Sequence, residues 1–167
     1  MKFSKMFLAA AFAVPAFALT QGTPSRAKPD PKATFSVLKA NVAKITAPSE
    51  KERWQANKDA WELEVAQTGP VKKIELGKML GAVDRIRTNV AKIRGGSEKE
   101  RWQSNIDLWT LFLSRSGTFQ KADLATANAA LETMKSNVAA ISAPVERERW
   151  MANRDLWQAL LERASTK

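Results

Sequence analysis

The chain has 167 residues, with 27 Lys and Arg against 17 Asp and Glu, a formal charge of +10, and no Cys, His or Tyr. This length corresponds to one domain by the usual range of about 100–200 residues per domain. The missing residue types exclude disulfides and remove the usual zinc and haem ligands. They also remove the commonest general bases and nucleophiles. We therefore expect no enzyme, no catalytic residue, no metal and no cofactor.

The first 18 residues have the pattern of a signal peptide. Lys2 and Lys5 precede an apolar run over residues 6–14, and Ala16-Phe17-Ala18 supplies the small residues that signal peptidase requires. The run is shorter than the about 20 residues of a membrane span, and no later segment is apolar enough to be one. We expect cleavage near Ala18, export to the periplasm or the medium, and no transmembrane segment in the mature chain.

A polar, Pro-containing stretch follows the predicted cleavage site. Residues 19–30 are interpreted as a flexible linker. Asp30 and Pro31 then form a favourable cap and first helical residue, so residues 31–167 are predicted to form the folded domain. Loss of Lys2 and Lys5 with the signal peptide lowers the formal charge from +10 to +8. Outside the cytoplasm such charge favours anionic envelope material over nucleic acid, and we expect no nucleic-acid partner.

The folded part contains one segment three times. Copies begin at Asn41, Asn89 and Asn137, a period of 48 residues, and 17 of 29 compared positions are identical between the first two copies. Such self-similarity indicates a repeat architecture. The predicted units are about 31–69, 70–117 and 118–165.

Each unit shows two stretches of helical periodicity around a short breaker. Apolar residues recur at spacings of three and four, and Ala47-Pro48, Gly95-Gly96 and Ala143-Pro144 interrupt them. Ser49 and Ser97 stand three residues before a Glu, the spacing of a capping box, and Ser142 is a candidate cap in the third copy. Six helices are predicted, at about 31–45, 50–67, 71–93, 98–115, 123–141 and 145–164.

The predicted fold is all-α, three tandem 48-residue helical hairpins. A hairpin this small cannot bury its own apolar face, so the copies must pack together. A short open solenoid and a closed helical bundle both satisfy this requirement, and we slightly prefer the open stack.

The second helix of each unit carries the motif Glu-Arg-Trp-x-x-Asn-x-Asp-x-Trp. Its tryptophans lie seven residues apart and share one helix face, which predicts a structural core made of Trp54, Trp61, Trp102, Trp109, Trp150 and Trp157. The asparagine lies between them on that face. It is interpreted either as a packing device that hydrogen-bonds to a neighbouring helix and fixes the register, with the first-helix asparagine of its own unit as a candidate partner, or as part of a ligand-binding groove. The asparagines concerned are Asn57, Asn105 and Asn153.

An arginine precedes the first tryptophan of every copy. In stacked units Arg53, Arg101 and Arg149 would form a row able to bind phosphates or carboxylates. Ordinary ion pairing with acidic residues of neighbouring helices is the alternative interpretation. With the three asparagines, they are the candidate ligand-binding residues.

The leading functional hypothesis is an exported binding or scaffold module that docks a protein or peptide partner, because helical arrays present extended surfaces. The alternative is a binder of anionic envelope material, such as lipid, polysaccharide or acidic polymer, through the repeated arginines. A small structural protein without a ligand is the default beneath both.

Overall fold

A computed structural model describes residues 30–166 of the chain, and the predicted signal peptide and all of the linker before Asp30 lie outside them. The described residues form six α-helices and one 3₁₀ turn, with no strand among them. This confirms the all-α prediction, and each helix ends within three residues of its predicted bounds. The helices are α1 (Pro31–Ala43), α2 (Pro48–Val65), α3 (Lys73–Val90), α4 (Gly96–Ser114), α5 (Leu124–Ala139) and α6 (Pro144–Ser165), with the 3₁₀ turn Lys121–Asp123 before α5.

Serine does not cap the helices at the three predicted positions. Asp30 caps α1 as predicted, because its carboxylate accepts from the backbone N–H of Lys32 at 3.1 Å and of Ala33 at 3.3 Å. The capping-box and Ser142 predictions were wrong. α2 and α6 begin at a proline after an alanine cap, and α4 begins after Gly95, all without a side-chain cap. Proline pre-sets the helical φ and has no N–H to satisfy, so α2 and α6 start at Pro48 and Pro144. Ser49 and Ser97 therefore lie one residue inside their helices, whereas Ser142 lies one residue before the cap of α6.

The six helices pack in a closed cycle, each on its neighbours in the chain and the first on the last. α2 packs most extensively on α3, α4 on α5, and α6 on α1, while contacts between α1 and α2, α3 and α4, and α5 and α6 are fewer. The first helix therefore contacts the last. This contact does not fit an open stack, which we had slightly preferred, and it is compatible with a closed helical bundle.

Helices α2, α4 and α6 supply the centre of the bundle through side chains at the same three positions of each. Trp54, Trp102 and Trp150 contact one another with ring centroids 4.7–4.9 Å apart. Trp61, Trp109 and Trp157 do the same at 4.5–4.8 Å. All six indoles are at most 1% exposed. The six tryptophans lie in the core of the bundle. Since residues of the same register meet, the three helices run parallel.

The layer between the two tryptophan triplets is a closed ring of hydrogen bonds. The Nδ2 of Asn57 donates to Asn153 at 2.9 Å, that of Asn153 to Asn105 at 3.0 Å, and that of Asn105 to Asn57 at 3.0 Å. Each acceptor Oδ1 also receives an indole N–H, from Trp61, Trp109 or Trp157, at 2.8–3.0 Å. We call these asparagines and the two tryptophan triplets the axial column.

Candidate functional site

The three predicted ligand-binding arginines lie next to the axial column at its amino-terminal end. Arg53 donates to Glu98 at 2.8 Å, Arg101 to Glu146 at 2.9 Å, and Arg149 to Glu50. Each guanidinium also lies 4.9–5.9 Å from a tryptophan ring of the helix that holds its glutamate. We call these three ion pairs the arginine ring.

Burial limits what the arginine ring can offer to a ligand. The three arginines are only 4–7% exposed, and their charges face glutamates of neighbouring helices. Burial lowers the pKa of Arg149, and Glu50 and Glu146 oppose that shift. The Nε of each arginine is buried without a hydrogen-bond partner. The geometry matches the ion-pairing interpretation, while ligand binding by these residues stays a prediction.

The three predicted asparagines are completely buried, at 0% exposure. Their carboxamide groups are used within the hydrogen-bond ring of the axial column rather than directed at solvent. They do not face the first-helix asparagines, which the packing interpretation named as candidate partners. Asn41 instead donates to Glu148 at 3.0 Å and to the carbonyl of Val37 at 3.2 Å.

The carboxyl-terminal end of the axial column is different, because its next layer is not built from like residues. The positions that follow the second tryptophan triplet by three residues are Glu64, Phe112 and Leu160, of which only the first is polar. All three are buried, Glu64 at 6% exposure. A carboxylate thus stands where the other two inner helices place apolar side chains.

Above this layer lies a cavity of about 470 Å³. Its walls come from the ends of α2, α4 and α6 and from the segments that lead to α3 and α5. We call it the end cavity. It is lined by Glu64, Gln67, Thr68, Gly69, Pro70, Val71, Phe112, Arg115, Ser116, Gly117, Thr118, Phe119, Leu160, Arg163 and Ala164.

Glu64 is the buried charge of the end cavity. Its Oε1 accepts a hydrogen bond from Nη2 of Arg163 at 2.6 Å. Burial raises the pKa of the Glu64 carboxyl, and the hydrogen bond and positive charge of Arg163 only partly oppose this. The two partners differ in exposure, since the side chain of Arg163 is 57% exposed and that of Glu64 only 6%. The arginine can therefore leave the pair for water, whereas the carboxylate cannot.

A second ion pair holds the wall of the end cavity. Arg115 contacts both carboxylate oxygens of Asp123 at 3.0–3.2 Å, and its hydrogen bond keeps the pKa of Asp123 below the ordinary value. The same carboxylate accepts from the backbone N–H of Gln120 at 3.1 Å, which closes a capping box at the 3₁₀ turn. Asp123 thereby ties the segment after α4 to the end of that helix.

The turn after α4 adds a tight backbone contact. Ser116 has φ of +58° and Gly117 has φ of +80°. The N–H of Gly117 bonds the carbonyl of Phe112 and that of Ser116 the carbonyl of Leu113, the pattern of a Schellman motif. A Cβ on Gly117 would lie 2.6 Å from Cγ2 of Val71, so the two connecting segments touch here only because residue 117 is glycine.

A smaller cavity of about 170 Å³ adjoins Glu64 on the side of α1. Asp30, Pro31 and Lys32 line it together with Glu64 and Arg163. Glu64 therefore borders two cavities, and the start of α1 forms the far wall of the smaller one.

None of the end-cavity residues was among the sequence-predicted site residues. The sequence does carry one signal for them. Glu64 replaces an apolar residue of the repeat, and Gln67 occupies the position of Arg115 and Arg163. The arginines and asparagines are residues that all three copies share, whereas Glu64 and Gln67 lie where the copies differ.

In comparisons with known proteins, no protein-family model, no curated protein and no solved structure matches the chain. Among the described helices, none combines the length and the apolar character needed to cross a bilayer. Within residues 30–166, no three acidic, His or Cys side chains converge into a group that could hold a metal ion.

Proposed function

We propose that this chain is an exported binding module that holds part of a peptide or protein partner in the end cavity. The observation that carries the proposal is Glu64, a carboxylate buried at the floor of an open cavity lined by Phe112, Phe119 and Leu160. Burying a charge among apolar groups costs free energy. Helices α4 and α6 have the apolar residues Phe112 and Leu160 at the equivalent position.

We infer that the 48-residue repeat is the unit of the scaffold and that the end cavity is the place where one copy was altered for binding. Contacts between residues 48 positions apart support this inference, as in the hydrogen bond from Asn105 to Asn57. A closed column with its hydrogen bonds satisfied is a rigid support, and rigid supports suit binding sites. Export follows from the predicted signal peptide and is part of the proposal.

The size and lining of the end cavity favour a compact ligand over an extended one. Binding cavities of about 300–1,000 Å³ hold a small molecule or a few side chains, combining apolar walls with a few polar groups. The end cavity, at about 470 Å³, has this composition. The arginine ring, in contrast, is covered and paired, which weakens the alternative of an anion-binding row. Catalysis is not part of the proposal.

A photo-crosslinking residue would test where partners bind. It would replace Thr118, which lines the end cavity, in cells that export the protein. A matched variant would carry it at Val145, which is 43% exposed near the amino-terminal end of α6 and so at the opposite end of the bundle. The intact mass of the purified protein reveals adducts of any size. We expect a defined adduct from position 118 and none from position 145.

Equal adducts at the two positions, or none at either, would contradict the proposal. The default hypothesis, a structural protein without a ligand, predicts no adduct at either position.

A further inference from the structure

The end cavity carries an inference about the chemistry of its ligand, and this inference rests on the proposed function. We propose that the end cavity binds an alkylammonium group, a positively charged amine on an apolar stem, and that the amine takes the place of Arg163 on the Glu64 carboxylate. The lysine side chain of a peptide and a small aliphatic amine share this chemistry.

The charges of the end cavity are arranged by depth. Glu64 lies at the floor, 6% exposed, while the side chains of Arg163 and Arg115 are 57% and 43% exposed. A ligand that enters the cavity therefore leaves the arginines at its sides and meets the carboxylate at the bottom. A cation at that depth replaces one ion pair by another, whereas an anion there would face the buried carboxylate.

Exchange of the cation costs the arginine little, because the side chain of Arg163 is already 57% exposed and regains water on release. The cost falls on the buried carboxylate. The incoming cation restores the pairing of a carboxylate that is itself expensive to leave buried and unpaired. The gain on binding then has two sources. The new ion pair lies inside the cavity, away from the water that weakens the present one, and the apolar stem of the ligand leaves water against Phe112, Phe119 and Leu160.

The packing of the bundle does not depend on the Glu64–Arg163 pair. The ion pairs of the arginine ring occur in all three copies and lock neighbouring inner helices together. At the register of Glu64 the other copies have Phe112 and Leu160, which pack without any charge. A charge that packing does not need, at the floor of a cavity, is suited to recognition.

Three probes of equal carbon number test the proposal, namely n-hexylamine, n-hexanol and sodium hexanoate. Each is titrated into the purified protein at neutral pH while the backbone amide signals of residues 67–72 and 115–119 are followed by NMR. We expect hexylammonium to bind about tenfold or more tightly than hexanol, the factor typical of a charge-assisted hydrogen bond. Hexanoate is expected to bind most weakly.

Two variants separate recognition by charge from simple filling of the cavity. Glu64→Gln should reduce hexylammonium binding to the level of hexanol and leave hexanol unchanged. Glu62→Gln, an equal change of charge two residues away and outside the cavity lining, should leave both unchanged. Arg163→Gln removes the competing cation and should tighten hexylammonium about two- to fivefold, the weight of a mostly exposed ion pair.

Tighter binding of hexanoate, equal binding of the three probes, weaker hexylammonium binding in Arg163→Gln, or no binding at all would each overturn the alkylammonium proposal. None of them would remove a crosslinked adduct at position 118, so the proposed function can survive its failure.

A peptide arm then identifies the source of the amine. N-acetyl-Leu-Lys-amide is compared with its norleucine analogue, which keeps the stem and lacks the charge. Binding that requires lysine points to a polypeptide partner, and binding by hexylammonium alone points to a small amine.

Discussion

The two ends of the axial column are built on different principles. At the amino-terminal end, three ion pairs repeat the same arginine-to-glutamate contact around the column and cover it. At the carboxyl-terminal end, the layer of Glu64, Phe112 and Leu160 breaks the repetition and opens into a cavity. Repeated contacts at one end stabilise the bundle, and the departure from repetition at the other end provides the candidate site.

The middle of the column should be the most sensitive to substitution. Asn105→Ala would leave the Nε1 of Trp157 without its acceptor and deprive the Nδ2 of Asn153 of its 3.0 Å partner. Several buried polar groups would lose partners at once, so we expect a loss of about 3–5 kcal/mol in the free energy of unfolding. Chemical denaturation measures it.

The equivalent substitutions Asn57→Ala and Asn153→Ala provide the control for this prediction. Each asparagine donates to one neighbour in the ring and accepts from the other and from an indole N–H, and Asn153 alone also contacts Sδ of Met134 at 3.6 Å. The three losses should therefore agree within about 1 kcal/mol, the spread of hydrogen-bond contributions between sites. A single dominant position, or losses near zero, would show that the ring does not act as one unit.

The turns at the open end should respond unequally to the same change. Gly117→Ala places a methyl group 2.6 Å from Val71 in a backbone with φ of +80°. We expect a loss of about 2–4 kcal/mol from the combined strain and overpacking. Gly69→Ala, at the matching position of the preceding unit, meets no atom within 4 Å. Thermal unfolding of this control should differ from the parent by less than about 0.5 kcal/mol.

Removing the charge from the cavity floor should stabilise the protein. Glu64→Leu reproduces the residue at position 160, and the released Arg163 is already 57% exposed. Replacing a buried ion pair by packed apolar groups is often stabilising, and we expect a gain of about 1–2 kcal/mol at neutral pH. A stabilised variant that loses its ligand would show that stability is given up for binding at this position.

The pH dependence of this gain follows from the raised pKa of Glu64. The folded protein holds the proton of Glu64 to higher pH than the unfolded chain, whose pKa is near 4.5. The stability of the parent therefore falls as pH rises through this window. The advantage of Glu64→Leu should be smallest below pH 4.5 and grow as the carboxyl ionises. An advantage that is independent of pH would contradict burial of the charged form as its cause.

The smallest effect is expected at the strained residue beside the cavity. Ser116 adopts φ of +58°, a conformation that glycine reaches without a Cβ penalty. Ser116→Gly should therefore stabilise the fold by about 0.5–1 kcal/mol. Ser136→Gly, within α5, should destabilise it by a similar amount, because glycine lowers helix propensity. Equal signs for the two substitutions would contradict this explanation.

Much of the fold could be read from local patterns. The spacing of apolar residues located all six helices, and Asp30 with Pro31 located the start of α1. The serine caps were wrong because the caps are Ala47, Gly95 and Ala143, each one or two residues away from the predicted serine. The tryptophan core followed from the seven-residue spacing of the indoles, since such large apolar side chains on one helix face must be buried.

The sequence by itself determined the helices, the 48-residue repeat and the identity of the core side chains, because these depend on periodicity along one chain. Only the tertiary structure decided that α1 packs on α6, that three asparagines join in one ring, and that the repeated arginines are covered by glutamates. It also decided where the cavity lies. Each of these depends on which residues of different helices meet, as Asn57 meets Asn153 and Asn105 at the axis of the bundle. Packing of the six indoles sets that register, which local spacing does not encode.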